Sequence, residues 1–280
     1  RDKIEEKIGL ELGAVESELI THFIPDSVLV RIRLVYKIEN KKYLEVDAET
    51  LQAVVEKITR SWSDVFSEQS ISAFGAADGA VLSRRFQNAF PSAYQEIYGP
   101  DHAHQHISLF DRLDGSDDLA IDFYQDQQEL EQHLRVTLFH RNEPLELSDM
   151  VPMLENLGFR VVMEHPYSIA PESEGVIWMQ DFDLEFSLDV SVDVSAVQTC
   201  FKDALLRVWR GDAEDDSFNR LVVGARLDWR AVAMLRLYAR YLKQLRVPYS
   251  QEFIADTLSR HLDLTRNLVA LFKSYFDPRY

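Results

Sequence analysis

Three histidines at alternate positions, His102, His104 and His106 in DHAHQH, are the strongest metal-binding candidates in this sequence. Imidazole suits zinc or copper, and alternate side chains of an extended segment share one face. The set is incomplete, because zinc sites usually recruit ligands from separated segments and neither a local cysteine nor HExxH accompanies these three. A solvated loop beside Pro100 accounts for them more simply.

A second concentration of chemistry is VWRGDAEDDSFNRL, residues 208–221, where Asp212, Glu214 and Asp216 stand at alternate positions as at the start of a calcium loop. The remainder fails: the sixth position is Ser217 where the turn needs glycine, and the twelfth is Val223 where a bidentate glutamate belongs. The stretch reads instead as a helix-to-helix joint, Gly211 closing one helix and Asp215, Asp216 or Ser217 capping the next. DRLDGSDD at 111–118 is turn chemistry around Gly115 and reads as a linker. The single cysteine, Cys200, cannot form an internal disulfide, and its apolar helical context predicts a buried thiol rather than a nucleophile.

The catalytic signatures that spacing can reveal are missing. There is no GxGxxG after a strand, no GxxxxGK[ST] loop and no GxSxG elbow, so dinucleotide, triphosphate and serine-hydrolase readings have no foothold. Carboxylate pairs for acid–base work are uninformative, since 47 acids make coincidental pairs inevitable. Trp178, Trp209 and Trp229 each lie in an apolar-periodic element and read as packing residues. With 30 Lys and Arg against those 47 acids, the net charge of −17 repels phosphate backbones and anionic lipid, which argues against nucleic-acid and membrane partners. No run reaches the roughly 20 apolar residues that span a bilayer. These features fit a reducing cytoplasm.

The elements that must position any site follow from periodicity. Residues 3–12 read as a helix, SELITHFI and SVLVRIRLVYKI as strands, and Asp47 as the cap of a helix whose Leu51, Val54, Val55, Ile58 and Trp62 share a face. The same order recurs later. SDMVPMLENLG reads as a helix capped by Ser148 or Asp149, with Pro152 in its first turn and Gly158 as its left-handed stop; FRVVMEHPYSI and GVIWMQDFDLEF are strands, and a helix ends near Trp209. Two candidate strands, LAIDFYQ and HLRVTLFHR, precede this copy. Each copy carries an arginine two places before its tryptophan, RSW at 60–62 and RVW at 207–209, and a duplicated α+β module is the simplest account. Between the copies AVLSRRFQNAF is helix-like, and PSAYQEIYGPDHAHQH reads as a connector punctuated by Pro91, Gly99 and Pro100. Beyond Trp209 the chain turns helical: Asp228 caps one helix, Pro248 breaks it, and Ser250 and Asp263 open two more. The expected division is 1–70 a partial module, 71–115 a helical connector, 116–210 a second module and 211–280 a helical bundle segment. The abrupt openings and endings, RDKIEEKIG and SYFDPRY, suggest a piece of a longer polypeptide.

In SVLVRIRLVYKI, TRSW, FQNAFPSAYQE, LSDMVPMLENLGFRVVMEHPY, VWRGDAEDDSFNRLV, DWRAVAMLRLYARYLKQ, PYSQEFI and LFKSYFDP, spread in order over nearly all of the chain, the sequence resembles the amino-terminal regulatory half of the large bacterial NAD-specific glutamate dehydrogenases. The resemblance implies an α+β fold of ACT-like (ferredoxin-like βαββαβ) modules, the first truncated, followed by an all-helical segment. It also implies a cytoplasmic homo-oligomer that oxidises L-glutamate with NAD through a catalytic part outside this fragment. The fragment itself is then non-catalytic and holds no cofactor, its partners being the rest of the parent polypeptide, sister subunits and an amino-acid effector. In ACT modules effectors bind near the loop after the first strand. Here that loop is HRNEPLELSD, whose Arg141, Asn142, Glu143 and Asp149 become the effector candidates, with Asn142 and Glu143 where such modules commonly carry glycine. Two rival readings are an independent scaffold or small-molecule-binding protein, and a metalloenzyme using the histidines.

Overall fold

The computed structural model describes residues 8, 14–23, 30–38, 52, 60–114, 119–125, 134–187 and 193–278. The chain divides into two compact units, Arg1–Ala80 and Val81–Tyr280.

In the first unit, β1 (Ala14–Phe23) and β2 (Val30–Ile38) form an antiparallel pair, Glu18 opposite Val35 and Ile20 opposite Arg33. Along β2, Leu34 and Tyr36 are half-buried while Arg33, Val35 and Lys37 are exposed, the period of two expected of a one-sided strand. Of the helices expected at 3–12 and 47–62, only Ile8, Gln52 and Arg60–Trp62 are described, Ile8 and Gln52 being helical; the rest lies outside the described residues. The tryptophan landmark moves. Trp62 is the first residue of α1 (Trp62–Phe74), not the last of the helix before it. Ser61 forms a capping box, its hydroxyl accepting from the Asp64 amide at 3.1 Å and its own amide donating to the Asp64 carboxylate at 3.1 Å. RSW and RVW are therefore not equivalent, since Trp209 ends its helix.

Helix α2 (Ala76–Phe86) leads into the second unit, where the expected connector proves to be two helices, α3 (Ser92–Ile97) and α4 (Pro100–Phe110). Proline is the reason that the segment reads as a loop and also the reason that it does not break: Pro91 stands at an N-cap and Pro100 at a first helical position, where the missing N–H costs nothing. A 3-10 turn, Asp111–Asp114, follows; the rest of the 111–118 linker lies outside the described residues.

The ACT-like module is built from β3 (Ala120–Gln125), β4 (Leu134–Arg141), α5 (Leu147–Asn156), β5 (Phe159–Ile169), β6 (Ile177–Phe186) and α6 (Val194–Trp209). Its sheet has the order β3-β4-β6-β5, antiparallel throughout. The β4–α5–β5 unit straddles β6, as in a split βαβ motif. The edge strand beside β4 comes from β3, upstream, so the chain order is ββαββα within the same sheet plan.

Helix ends follow the sequence at several points and depart from it at others. Gly158 takes φ 96 and Gly211 φ 74, each just past a helix. At Gly211 the Asp212 amide reaches the Arg207 carbonyl at 2.8 Å and the Gly211 amide that of Val208 at 3.0 Å, a Schellman closure. Asp216 caps the 3-10 turn Ser217–Asn219 that leads into α7 (Arg220–Gly224). Asp228 caps α8 (Trp229–Gln244) and Ser250 caps α9 (Gln251–Arg260). Helix α10 (Leu262–Phe276) starts from His261, with Asp263 as a first-turn acid rather than the cap. Likewise α5 starts from Glu146, without a side-chain cap bond, which moves Ser148 and Asp149 into the first turn and Pro152 into the helix interior.

The sheet is buried on both faces. On one, Val136, Leu138, Phe182 and Leu184 join Met150, Leu154, Val197, Phe201 and residues of α7–α10 in one apolar core. Phe123, Phe159 and Phe201 meet within it at centroid separations of 4.5–5.8 Å. On the other, Phe139 and Tyr167 meet Tyr94, Tyr98, His106 and Phe110 of α3, α4 and the turn between them.

Candidate functional site

The β4–α5 connection begins where Arg141 ends its strand. Asn142 adopts φ 70, the left-handed conformation that glycine takes most easily and asparagine tolerates, so the turn is made without the glycine common in such modules. The Asn142 amide donates to the Val176 carbonyl at 2.8 Å, the Glu143 amide to that of Arg141 at 2.9 Å, and the Trp178 indole to the Asn142 carbonyl at 3.3 Å. Further along, the Leu145 amide donates to Gln180 Oε1 at 2.7 Å, and Gln180 Nε2 donates back to the Leu145 carbonyl at 3.1 Å. A buried side-chain amide thus holds the loop to β6 as a neighbouring strand would. Arg141 lies 4.0 Å from Glu174, Glu143 is exposed, and Asp149 stands apart, exposed in the first turn of α5. Arg141, Asn142 and Glu143 therefore share one turn, with Asp149 apart on α5, and the charged groups present are a guanidinium and two carboxylates.

Next to Gln180, and pointing to the opposite face, is a residue that sequence reading missed. Asp181 is fully buried. Its carboxylate accepts from Tyr98 Oη at 2.6 Å, Arg135 Nη1 at 2.7 Å and Thr137 Oγ1 at 2.8 Å. Tyr124 adjoins Tyr98 and Thr137 in the same cluster. Burial, and then the Asp181 charge, push the Tyr98 hydroxyl far above the usual phenol range and that of Tyr124 up to about 12, so both remain donors at any physiological pH. The cluster is a three-donor knot between the sheet and the turn from α3 to α4. The available signal is a Gln-Asp pair in the middle of β6, directly after the apolar Ile177, Trp178 and Met179.

The histidines do not share an extended face. On helix α4, His102 and His106 are one turn apart while His104 points elsewhere. His106 is buried, accepts or donates to Tyr94 Oη at 2.9 Å through Nδ1, and packs its ring 5.2 Å from that of Phe139. Desolvation by burial pulls it down to about 4, outweighing the Asp122 charge, so the ring is neutral at pH 7. Among the described residues no group of three His, Cys, Asp or Glu is placed to hold a metal ion. Cys200 is half-buried rather than fully buried, and burial, with Asp228 and Asp203 nearby, raises its thiol further from the reactive thiolate.

The acidic stretch is the expected joint, and each acid has a protein partner. Asp212 meets Arg207 at 3.0 Å, Asp215 meets Asn156 at 3.0 Å, and Glu214 pairs with Arg240. Asp216 receives both Nε (2.7 Å) and Nη2 (2.8 Å) of Arg236, whose Nη2 also reaches Asn219 Oδ1 at 2.9 Å. Arg236 is only 3% exposed, so this fork is what allows a charged residue inside the helical segment. The run of acids supplies counter-charges for α6 and α8. No described helix is long and apolar enough to cross a membrane.

Four family models match the chain in sequence order. They are described as the glutamate dehydrogenase ACT2 domain over residues 1–63, helical motif 2 over 71–113, ACT3 domain over 118–197 and helical motif 3 over 213–278. The NAD-specific glutamate dehydrogenase of Halomonas elongata is 40% identical over 278 residues, 99% of this chain and 17% of its own length. That of Pseudomonas aeruginosa is 37% identical over 276 residues, again 99% of this chain and 17% of the relative. A Mycobacterium tuberculosis protein of the same description is 29% identical over 241 residues, 84% of this chain and 14% of the relative. At 17%, the chain spans about a sixth of the length of the first two relatives.

Proposed function

Because the chain belongs to the glutamate dehydrogenase family, as a run of its ACT and helical-motif domains, we propose that it is a non-catalytic regulatory and oligomerisation region of an NAD-dependent glutamate dehydrogenase. The parent enzyme would convert L-glutamate, NAD and water to 2-oxoglutarate, ammonium and NADH in the cytoplasm, binding NAD outside this region. The observation that carries the reading is the unbroken succession of the four matched domains along nearly the whole chain. The segments 1–70, 71–115, 116–210 and 211–280 are the functional divisions that we propose.

The regulatory part of the proposal rests on the β4–α5 loop. A free amino acid would place its carboxylate on Arg141 and its ammonium on Glu143 or Asp149, beside the turn that Asn142 makes. Gln180 and Asp181 give such binding a physical outlet: neighbours on β6, one holds the loop and the other holds the turn from α3 to α4. A ligand that repositions the loop would bias the docking of the helical motif and, through it, contacts to sister subunits. Titration calorimetry of the chain with the common amino acids tests this. We expect heat from at least one, abolished in Arg141→Ala; no heat from any would remove the sensing role. Glutamate-dependent NADH formation by the full-length parent, and none by this chain alone, is the expected result for the activity.

A further inference from the structure

The helices after the ACT-like module carry more apolar surface than they use. Helix α8 buries Val232, Leu235 and Ala239 inward, yet Met234, Tyr238, Tyr241 and Leu245 form a second stripe at three- and four-residue spacing, with Tyr241 53% exposed. Helix α10 repeats the pattern. Thr265 and Val269 are buried, while Leu264, Leu268, Leu271 and Tyr275 form an outward stripe in which Leu271 is 55% and Tyr275 76% exposed. The two stripes face a groove of about 340 Å³, lined by Met234, Tyr238, Leu268, Leu271, Tyr275 and Phe276 among others. Large exposed apolar faces of this kind mark interaction surfaces.

Charge restricts what can fill it. Trp229–Phe276 carries eight Arg or Lys against three Asp or Glu, a net +5 in a chain of −17. Helix α8 alone holds Arg230, Arg236, Arg240 and Lys243 and no acid; Asp216 and Glu214 answer Arg236 and Arg240, so the exposed Arg230 and Lys243, with Arg246 just beyond the helix, are the charges that meet a partner. Two copies meeting through this segment would oppose like charge, whereas an acidic partner would be attracted. The concave form suits a row of side chains rather than a flat lipid surface. The first two relatives are about six times as long as this chain, which covers 17% of each, so the larger part of such a polypeptide is available to provide the partner.

We propose that the α8–α10 groove is the docking site for an amphipathic helix, apolar on one face and edged by Asp and Glu, contributed by the parent polypeptide from outside these 280 residues. The inference rests on the reading of the chain as part of a larger glutamate dehydrogenase. Two apolar stripes at helical spacing leave room for a third helix, the helix-in-groove mode of recognition, with anchors on that helix at three- and four-residue intervals.

Photocrosslinking in the full-length parent tests it. With p-benzoylphenylalanine in place of Leu271, we expect an adduct with a helical, acid-edged segment of the parent sequence outside residues 1–280, formed in a yield independent of protein concentration and lost when Tyr238→Glu is added across the groove. An adduct with residues 1–280 of a second copy, or no protein adduct, would overturn the proposal. In parallel, any self-association of the 280-residue chain should be unchanged by Leu271→Glu, and the chain should not associate with phosphatidylglycerol–phosphatidylcholine vesicles. A dimer or vesicle binding that Leu271→Glu abolishes would assign the groove to self-association or to a membrane instead. Failure of the parent to oxidise glutamate would sink the enzymatic reading and leave the crosslink unaffected, so the two can fail separately.

Discussion

The two faces of the β3-β4-β6-β5 sheet are closed by different physics. Toward α5 and α6 the contacts are aliphatic and phenyl, a surface that needs volume and little direction. Toward α3 and α4 they are tyrosines, a neutral histidine and a buried carboxylate with three donors. Apolar packing gives the module its core; the polar face specifies which segment lies on it and at what angle, because hydrogen bonds to a buried charge tolerate little displacement. Under the proposed regulatory role, such a directional face is where a signal would pass to the neighbouring helical segment.

The largest expected effect is on the polar side. Asp181→Ala removes the acceptor and leaves Arg135 facing a buried void, which should cost about 3–5 kcal/mol in urea unfolding. The loss should be accompanied by protease sensitivity at α3 and α4. A loss below about 1 kcal/mol, the scale of an exposed pair, would erase the distinction between the faces.

The next effect is on pH. His106 is held neutral in the folded chain, at about 4, and titrates near 6.5 when unfolded, so between these values the unfolded state binds more protons. Stability therefore falls as pH drops from about 6.5 toward 4, by roughly 3 kcal/mol at most from this group. Carboxylates contribute their own acid slope, and the difference between the parent chain and His106→Phe isolates the histidine: the variant should lose the part of the slope in that window. The apolar cluster on the other face is built of aliphatic and aromatic side chains and should give none in that window.

The apolar face was also the legible one. Strand periodicity located β2, β4, β5 and β6, and a Gly, Asp or Ser at the right place located the ends of α6, α8 and α9. Two kinds of feature did not show. Pro91, Gly99 and Pro100 carry the same signal in a loop as at helix starts, so α3 and α4 were read as connector. Trp62 and Trp209 share a local motif but sit at opposite ends of their helices, because the Ser61–Asp64 capping box starts a new helix at Trp62. The polar cluster was hidden for a different reason: Tyr98, Arg135, Thr137 and Asp181 are separated by up to 83 residues and meet only through sheet register, which no local pattern encodes. The acidic joint is legible as a joint, but its pairing with Arg236 is not, because one arginine within an apolar helix does not say which charge it will meet. The candidate effector loop is indicated by the resemblance alone; its unusual turn at Asn142 shows only in the structure.

Two adjacent residues of β4 give the finest test of the comparison. Thr137 and Leu138 are both fully buried and point to opposite faces. Thr137→Val keeps the shape but removes the hydroxyl that donates to Asp181 at 2.8 Å, leaving the carboxylate one donor short. A hydrogen bond to a charged group is worth about 1.5–3 kcal/mol, and that is the expected loss. Leu138→Met is equally conservative in volume and has no polar partner to forfeit, so it should cost less than about 1.5 kcal/mol. Chemical denaturation of both variants at one pH decides the matter. If the methionine substitution proves the costlier, the sheet's specificity lies in the jigsaw of its apolar side, and Asp181 is merely accommodated by the helices that cover it.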